Sequence, residues 1–199
     1  MTRMAADADT AVASRTLYAQ PQSDKGELLR FAAQNQAGKA LAAVRIAVAI
    51  FFLFFGEYKI VDPMFANGAM AQWLQGFIDH DAVHLYGVLL QRVALPHAVL
   101  LGYAVGAFEM TLGVALLLGI FVRPAAIVGM AYMGNLVLAT WFTPGHGAPA
   151  WRYFGNELDH IPLLLLFVVF YATNAGDIWG LDGYLKRRNN PPRRFMRAA

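Results

Sequence analysis

The chain has 199 residues, of which 58% are hydrophobic and 15% charged, with a formal net charge of +3. It is too apolar for an ordinary globular domain, and its basic residues flank hydrophobic stretches, so topology and anionic lipid explain them better than nucleic acid does. The lack of cysteine excludes disulfides, thiolate metal sites and a dithiol redox cycle carried by this chain.

Residues 1–40 read as a cytoplasmic tail, disordered to about residue 23, where apolar periodicity is missing. Asp24 to Lys39 suits either a short interfacial helix, with Leu28, Leu29, Phe31 and Ala32 on one side and Lys25, Arg30 and Lys39 for headgroups, or a frayed extension of the first span. Met1 to Gln36 shows no apolar core beside a small-residue cleavage site, so insertion is expected to rely on the first span. The membrane domain is expected over 41–185 and a basic cytoplasmic tail over 186–199.

The first span is predicted from about Leu41 to Ile60. Arg45, Ala49, Phe52, Gly56 and Lys59 fall on one helical stripe that should face other helices. Glu57 lies off that stripe, near enough to the end to reach water or Lys59. Arg45 and Lys59, at opposite ends, can snorkel to their own headgroup layers; alternatively Lys59 or Glu57 holds the polar head of a quinone or lipid.

Asp62-Pro63 should stop the helix, because proline cannot continue it and disfavours helical backbone before it. Met70, Trp73, Leu74, Phe77 and Ile78 then repeat at helical intervals among polar residues, predicting an amphipathic helix on the outer membrane surface. The short apolar run Val83 to Leu95 contains Gln91 and Arg92 and reads as interfacial or re-entrant.

The second span, about His97 to Ile120, places Gly102, Gly106, Glu109 and Gly113 on one face, so the acid points into the bundle. A tight turn at Arg123-Pro124 leads to the third span, about Pro124 to Phe142. Counted from that turn, Glu109 and Asn135 lie at the same depth, and a hydrogen bond between them is expected. Two roles suit Glu109: a proton-handling or quinone contact, or a neutral carboxyl that serves helix packing through Asn135.

The fourth span is predicted from about His160 to Ala175, followed by Trp179 and Tyr184 as interfacial anchors. All five histidines fall on the outer side. His80 and His84, one helical turn apart, could share a metal with His97, His160 or Asp159 nearby, although histidines also suit the interfacial zone by themselves. No metal is assigned. Thirteen Lys or Arg lie on one side of this topology and three on the other, which puts both termini in the cytoplasm.

The order of these features resembles the DoxX-like family of small bacterial membrane proteins. The resemblance rests on Arg45, on Phe54-Phe55-Gly56-Glu57-Tyr58-Lys59, on Glu109-Met110-Thr111-Leu112-Gly113 with Leu117-Leu118-Gly119 and Arg123, and on Gly176-Asp177-Ile178-Trp179-Gly180-Leu181-Asp182. It implies an all-α, four-helix antiparallel bundle in a bacterial inner membrane, related to the small subunit of thiosulfate:quinone oxidoreductase. The outer connection from Asp62 to Pro96 is longer than is usual there.

The function expected from the sequence is therefore an inner-membrane subunit of a quinone-linked redox or oxidative-stress system. Glu109, Asn135, Glu57, Lys59 and Arg45 are its candidate quinone or proton site. The redox cofactor would sit on a soluble or membrane partner, and self-association is open. A scaffold recruiting partners through its tails and outer loop, or a small-molecule or proton permease, are the alternatives. A phosphate-binding loop, a nucleophile elbow and a zinc-protease pattern are all missing, which sets a stand-alone hydrolase aside.

Overall fold

The structure, a computed structural model, describes residues 3–149, 152 and 160–189; Asp159 and Glu157 of the expected outer cluster lie outside them. The described residues are helical and contain no strand. Two compact units are distinguished, Met1–Ala40 and Leu41–Ala199.

Helix α1 (Arg3–Val61) takes up the extension of the first span over Asp24 to Lys39 and also runs through residues expected to be disordered. Residues 1–40 are rich in Ala and Gln, both good helix formers, so helical backbone needs no apolar face there. In the second unit α1 ends where expected: Asp62 leaves the helix before Pro63, and its Oδ1 accepts the Met64 N–H at 2.9 Å.

The connection to Pro96 differs from expectation. It is helical almost throughout: a π-helical turn (Phe65–Ala69), α2 (Met70–Gly76) and a second π turn (Phe77–Asp81) run on without a break. After an extended step at Ala82 and Val83, α3 (His84–Leu89) continues through a π turn and a 3-10 turn at Pro96 into α4 (Ala98–Leu118). Phe65, Ala66 and Leu74 are buried, and Ala66 packs on Gly102, where a Cβ would come within 2.8 Å of the Ala66 Cα. The segment thus packs against α4 as well as carrying polar residues outward, and Val83 to Leu95 belongs to a long helical run rather than to a separate interfacial piece.

Gly119 (φ 63°) closes α4 in the left-handed region that glycine adopts without strain, and α5 (Val122–Thr140) starts three residues later with Pro124 in its first turn. Helix α6 (His160–Thr173) is followed by a turn and α7 (Leu181–Asn189). Among the described residues three runs are long and apolar enough to cross a membrane, Ala32–Val61, His84–Leu118 and Val122–Thr140; α6 is apolar but has 14 residues.

Close helix approach builds the core. A Cβ on Gly56 would lie 2.7 Å from the Met110 backbone nitrogen, and one on Gly113 2.9 Å from the Leu53 side chain, so the glycine stripe predicted on α4 does face α1. Gly129 of α5 lies against the ring of Phe167 on α6, which also meets Phe52 edge-on at 5.6 Å. Val48, Ala49, Phe52, Leu112, Leu116, Ala126, Met133, Phe167 and Phe170 complete this cluster.

Candidate functional site

Two buried polar sites lie at different levels of the helix bundle. The first is centred on Glu109, 3% exposed and set among the small residues of α4. Because Gly56 and Gly106 let the backbones touch, Lys59 at the far end of α1 is brought level with the acid. A Cβ on Gly106 would sit 3.1 Å from Lys59 Cβ. Lys59 Nζ donates to both carboxylate oxygens at 2.6 Å, forming an ion pair whose side chains are 12% and 4% exposed.

Tyr132 of α5 completes this group by donating its hydroxyl to Glu109 Oε1 at 2.6 Å. Its ring stacks at a tilt on Phe108, 5.0 Å away. The Lys59 ammonium lies 5.9 Å from the Phe55 ring centroid and 5.8 Å from that of Phe65, close enough for weak cation–π attraction. One acid, one ammonium and one phenol therefore meet inside an aromatic and glycine-lined pocket of the bundle. Such a group can accept a proton, donate one, or hold a polar ligand atom.

This arrangement corrects two expectations. Glu109 does not bond Asn135: equal depth does not fix direction around the helix axis, and it is Tyr132, one turn nearer the hairpin, that faces the acid. Asn135 is exposed and accepts the Tyr86 hydroxyl through Oδ1. Nor does Lys59 snorkel to a headgroup layer, since its charge is spent on Glu109. Glu57 is exposed and has no ion-pair partner among the described residues.

The second site lies about four turns earlier on α1. Arg45 is fully buried, against the expectation of a snorkelling anchor. Its Nη1 donates to the Ala175 carbonyl at 3.0 Å and its Nη2 to that of Trp179 at 2.9 Å, fixing the turn between α6 and α7. Gly119 and Gly180 make room for the guanidinium; a Cβ on Gly180 would lie 2.7 Å from Nη1. Asp182 meanwhile accepts the Phe121 and Val122 N–H groups, each at 2.9 Å, and so caps the start of α5. The closing Gly-Asp-Ile-Trp-Gly-Leu-Asp phrase, which the sequence offers only as a family mark, is thus the part that ties three helix ends together.

The histidines do not converge. His80 ends a π turn and His84 opens α3 after the extended break at Ala82 and Val83, so they do not share one helix face. His97 Nδ1 meets the Val93 carbonyl at 2.9 Å, His146 stacks on Phe142, and His160 lies 3.4 Å from the Thr140 hydroxyl. Among the described residues no three His, Asp or Glu side chains are grouped to hold a metal.

Tyr132, Tyr86 and Asp182 were not singled out as site residues from the sequence. A signal for Tyr132 is present in the sequence: Ala126 and Gly129 mark the inward face of α5, and Tyr132 lies next to that stripe.

The DoxX family model matches residues 40–144, which hold the Lys59–Glu109–Tyr132 group and Arg45. No curated protein and no solved structure matches the chain.

Proposed function

The chain belongs to the DoxX family, and from that premise we propose that it is a multi-pass inner-membrane subunit of a quinone-linked redox or oxidative-stress system, with its redox cofactor on a partner protein. The observation that carries this reading is the Lys59–Glu109–Tyr132 group, a buried ion pair with a phenol on it inside a membrane-type bundle. Burying such a pair in hydrocarbon is costly, and ionisable groups so placed mark pathways for protons, ions or polar ligands. Removing one partner leaves an unpaired buried charge, so the group persists as a unit.

In this reading α6 is the fourth span and both termini are cytoplasmic, as the distribution of Lys and Arg favours. The Arg45 site then lies at the cytoplasmic face and holds the bundle closed there. The ion pair lies toward the periplasmic half, where the third N–H of Lys59 can be directed at a carbonyl oxygen and Glu109, held by Lys59 and Tyr132, can take up or release the accompanying proton. Reduction of a quinone consumes two electrons and two protons; the electrons come from the partner's cofactor, and the group on this chain handles protons and orientation.

Lipid extraction of the purified protein tests the reading first. Quinone recovered at a level near one per chain from wild type, and strongly reduced from Glu109→Gln, is the expected result. Wild-type protein that carries no quinone and binds none when it is supplied overturns it.

A further inference from the structure

A cavity of about 190 Å³ opens at the hairpin end of the bundle, away from the buried ion pair. It is walled by Arg123 and Pro124 at the start of α5, by Asn174 and Asp177 in the turn after α6, and by Asp182 and Lys186 of α7. Its acids are already engaged. Asp182 accepts the Phe121 and Val122 N–H groups, so the start of α5 is closed to an outside anion, and Asp177 Oδ1 holds Lys186 Nζ at 2.6 Å.

Its donors are not engaged in the same way. Arg123 has no hydrogen bond or ion pair among the described residues. Its guanidinium lies 4.6 Å from the centre of the Tyr171 ring, a cation–π contact that orients it and leaves its N–H groups open. The Asn174 side chain, on left-handed backbone (φ 50°) that asparagine tolerates, also has no hydrogen bond among the described residues. Lys186 keeps further N–H groups beyond the one on Asp177. Counting Arg123 and Asp177 with α7, four cations stand against two carboxylates here.

A ligand that meets a guanidinium, an amide and an ammonium together needs several acceptor oxygens and negative charge, which is the chemistry of a phosphate. The cavity has room for about six waters at roughly 30 Å³ each and is smaller than the roughly 300–1,000 Å³ pockets of drug-sized ligands, so a phosphodiester fits and a nucleotide does not. Its setting is the membrane surface. Arg123 is the second residue of a candidate span, and Phe121, Trp179 and Tyr184 are exposed around it, as aromatic residues at headgroup depth are. One turn further along the same two helices from Arg123 and Tyr171, Ile127 of α5 and Val168 of α6 are exposed and offer an acyl chain an apolar bed.

We propose that this cavity binds the phosphate of one anionic phospholipid, of the phosphatidylglycerol type, from the leaflet on the hairpin side, with Arg123 as the main contact and Asn174 and Lys186 as further donors. A zwitterionic lipid brings its own cation beside Lys186, Arg187 and Arg188 and is disfavoured. Arg123 is nine residues from Tyr132, roughly 14 Å along α5, so lipid selectivity here and quinone recovery at the buried group can fail separately.

The full chain in mild detergent is titrated with dioleoyl phosphatidylglycerol and, separately, with dioleoyl phosphatidylcholine, and bound lipid is counted by native mass spectrometry. Wild type is expected to bind the first phosphatidylglycerol at least about tenfold more tightly than phosphatidylcholine. Arg123→Gln should weaken that first binding at least about tenfold, the value of a charged hydrogen bond. Asn174→Asp places a carboxylate against the phosphate on backbone that aspartate also tolerates, and should weaken it as much. Arg188→Gln, in the same basic run but outside the cavity, should stay within about twofold of wild type. Equal affinity for the two lipids overturns the proposal, as does normal phosphatidylglycerol binding by both cavity variants. A loss in Arg188→Gln as large as in Arg123→Gln also overturns it, because the attraction is then that of a diffuse basic surface. Excess inorganic phosphate should leave the lipid bound; its displacement of the lipid would assign the cavity to a free oxyanion and overturn the lipid assignment.

Discussion

Replacing Lys59 by methionine keeps its length and apolar stem and removes only the charge. The structure places that charge 2.6 Å from a carboxylate oxygen, with the two side chains 12% and 4% exposed. Loss of one member of a buried pair costs about 3–5 kcal/mol, chiefly because the other is left charged and uncompensated. Glu109→Leu should cost a similar amount and also strands the Tyr132 hydroxyl. Lys59→Met together with Glu109→Leu removes both charges and should be only about 1–3 kcal/mol less stable than wild type, the cost of the stranded Tyr132 hydroxyl. The assay is reversible unfolding in mixed detergent micelles, followed by circular dichroism and analysed as a double-mutant cycle. A coupling of at least about 2 kcal/mol is expected. Costs that simply add, or single variants that are silent, would refute the argument and mark the pair as one that solvent or lipid headgroups already satisfy.

Two more outcomes test the scaffold around the pair. Arg45→Ala leaves the Ala175 and Trp179 carbonyls without their donor and should cost about 2–5 kcal/mol, with faster proteolysis at the turn before α7; Arg45→Lys should recover little, because one ammonium cannot span both carbonyls as the guanidinium fork does. Gly56→Ala forces a Cβ to within 2.8 Å of the Gly106 carbonyl, so α1 and α4 must separate; about 1–3 kcal/mol of stability should be lost, and quinone binding should weaken with it because Lys59 moves off Glu109.

The sequence carries the helix faces better than it carries the partners on them. Gly102, Gly106, Glu109 and Gly113 share a face by spacing alone, and so do Arg45, Ala49, Phe52, Gly56 and Lys59, and the structure packs these two faces together. What spacing does not contain is the offset between two helices far apart in the chain. That offset decides that Lys59 meets Glu109, and it is set by where Gly56 and Gly106 allow contact. For α4 and α5 the hairpin did fix relative depth, but the hydrogen bond depends on rotation about the axis as well, and Asn135 points away. The outer connection follows its amphipathic pattern over Met70–Gly76, with Leu74 buried and Gln72 and Gln75 exposed, but the pattern does not contain its packing against α4. Its polar residues suggested a surface helix, while the small residues Ala66 and Gly102, which let it pack against α4, are informative only as a pair. The His80 and His84 pairing failed because a two-residue extended step lies between them.

The central claim is that the Lys59–Glu109–Tyr132 group serves a quinone-linked reaction. Its most direct test is quinone-reducing electron transfer in membranes from cells expressing wild type or Glu109→Gln at equal levels. Glutamine keeps the hydrogen-bonding shape and removes the exchangeable proton, so the account predicts a fall of about a hundredfold or more, the usual contribution of a positioned acid or base. Equal rates in the two membranes would contradict it.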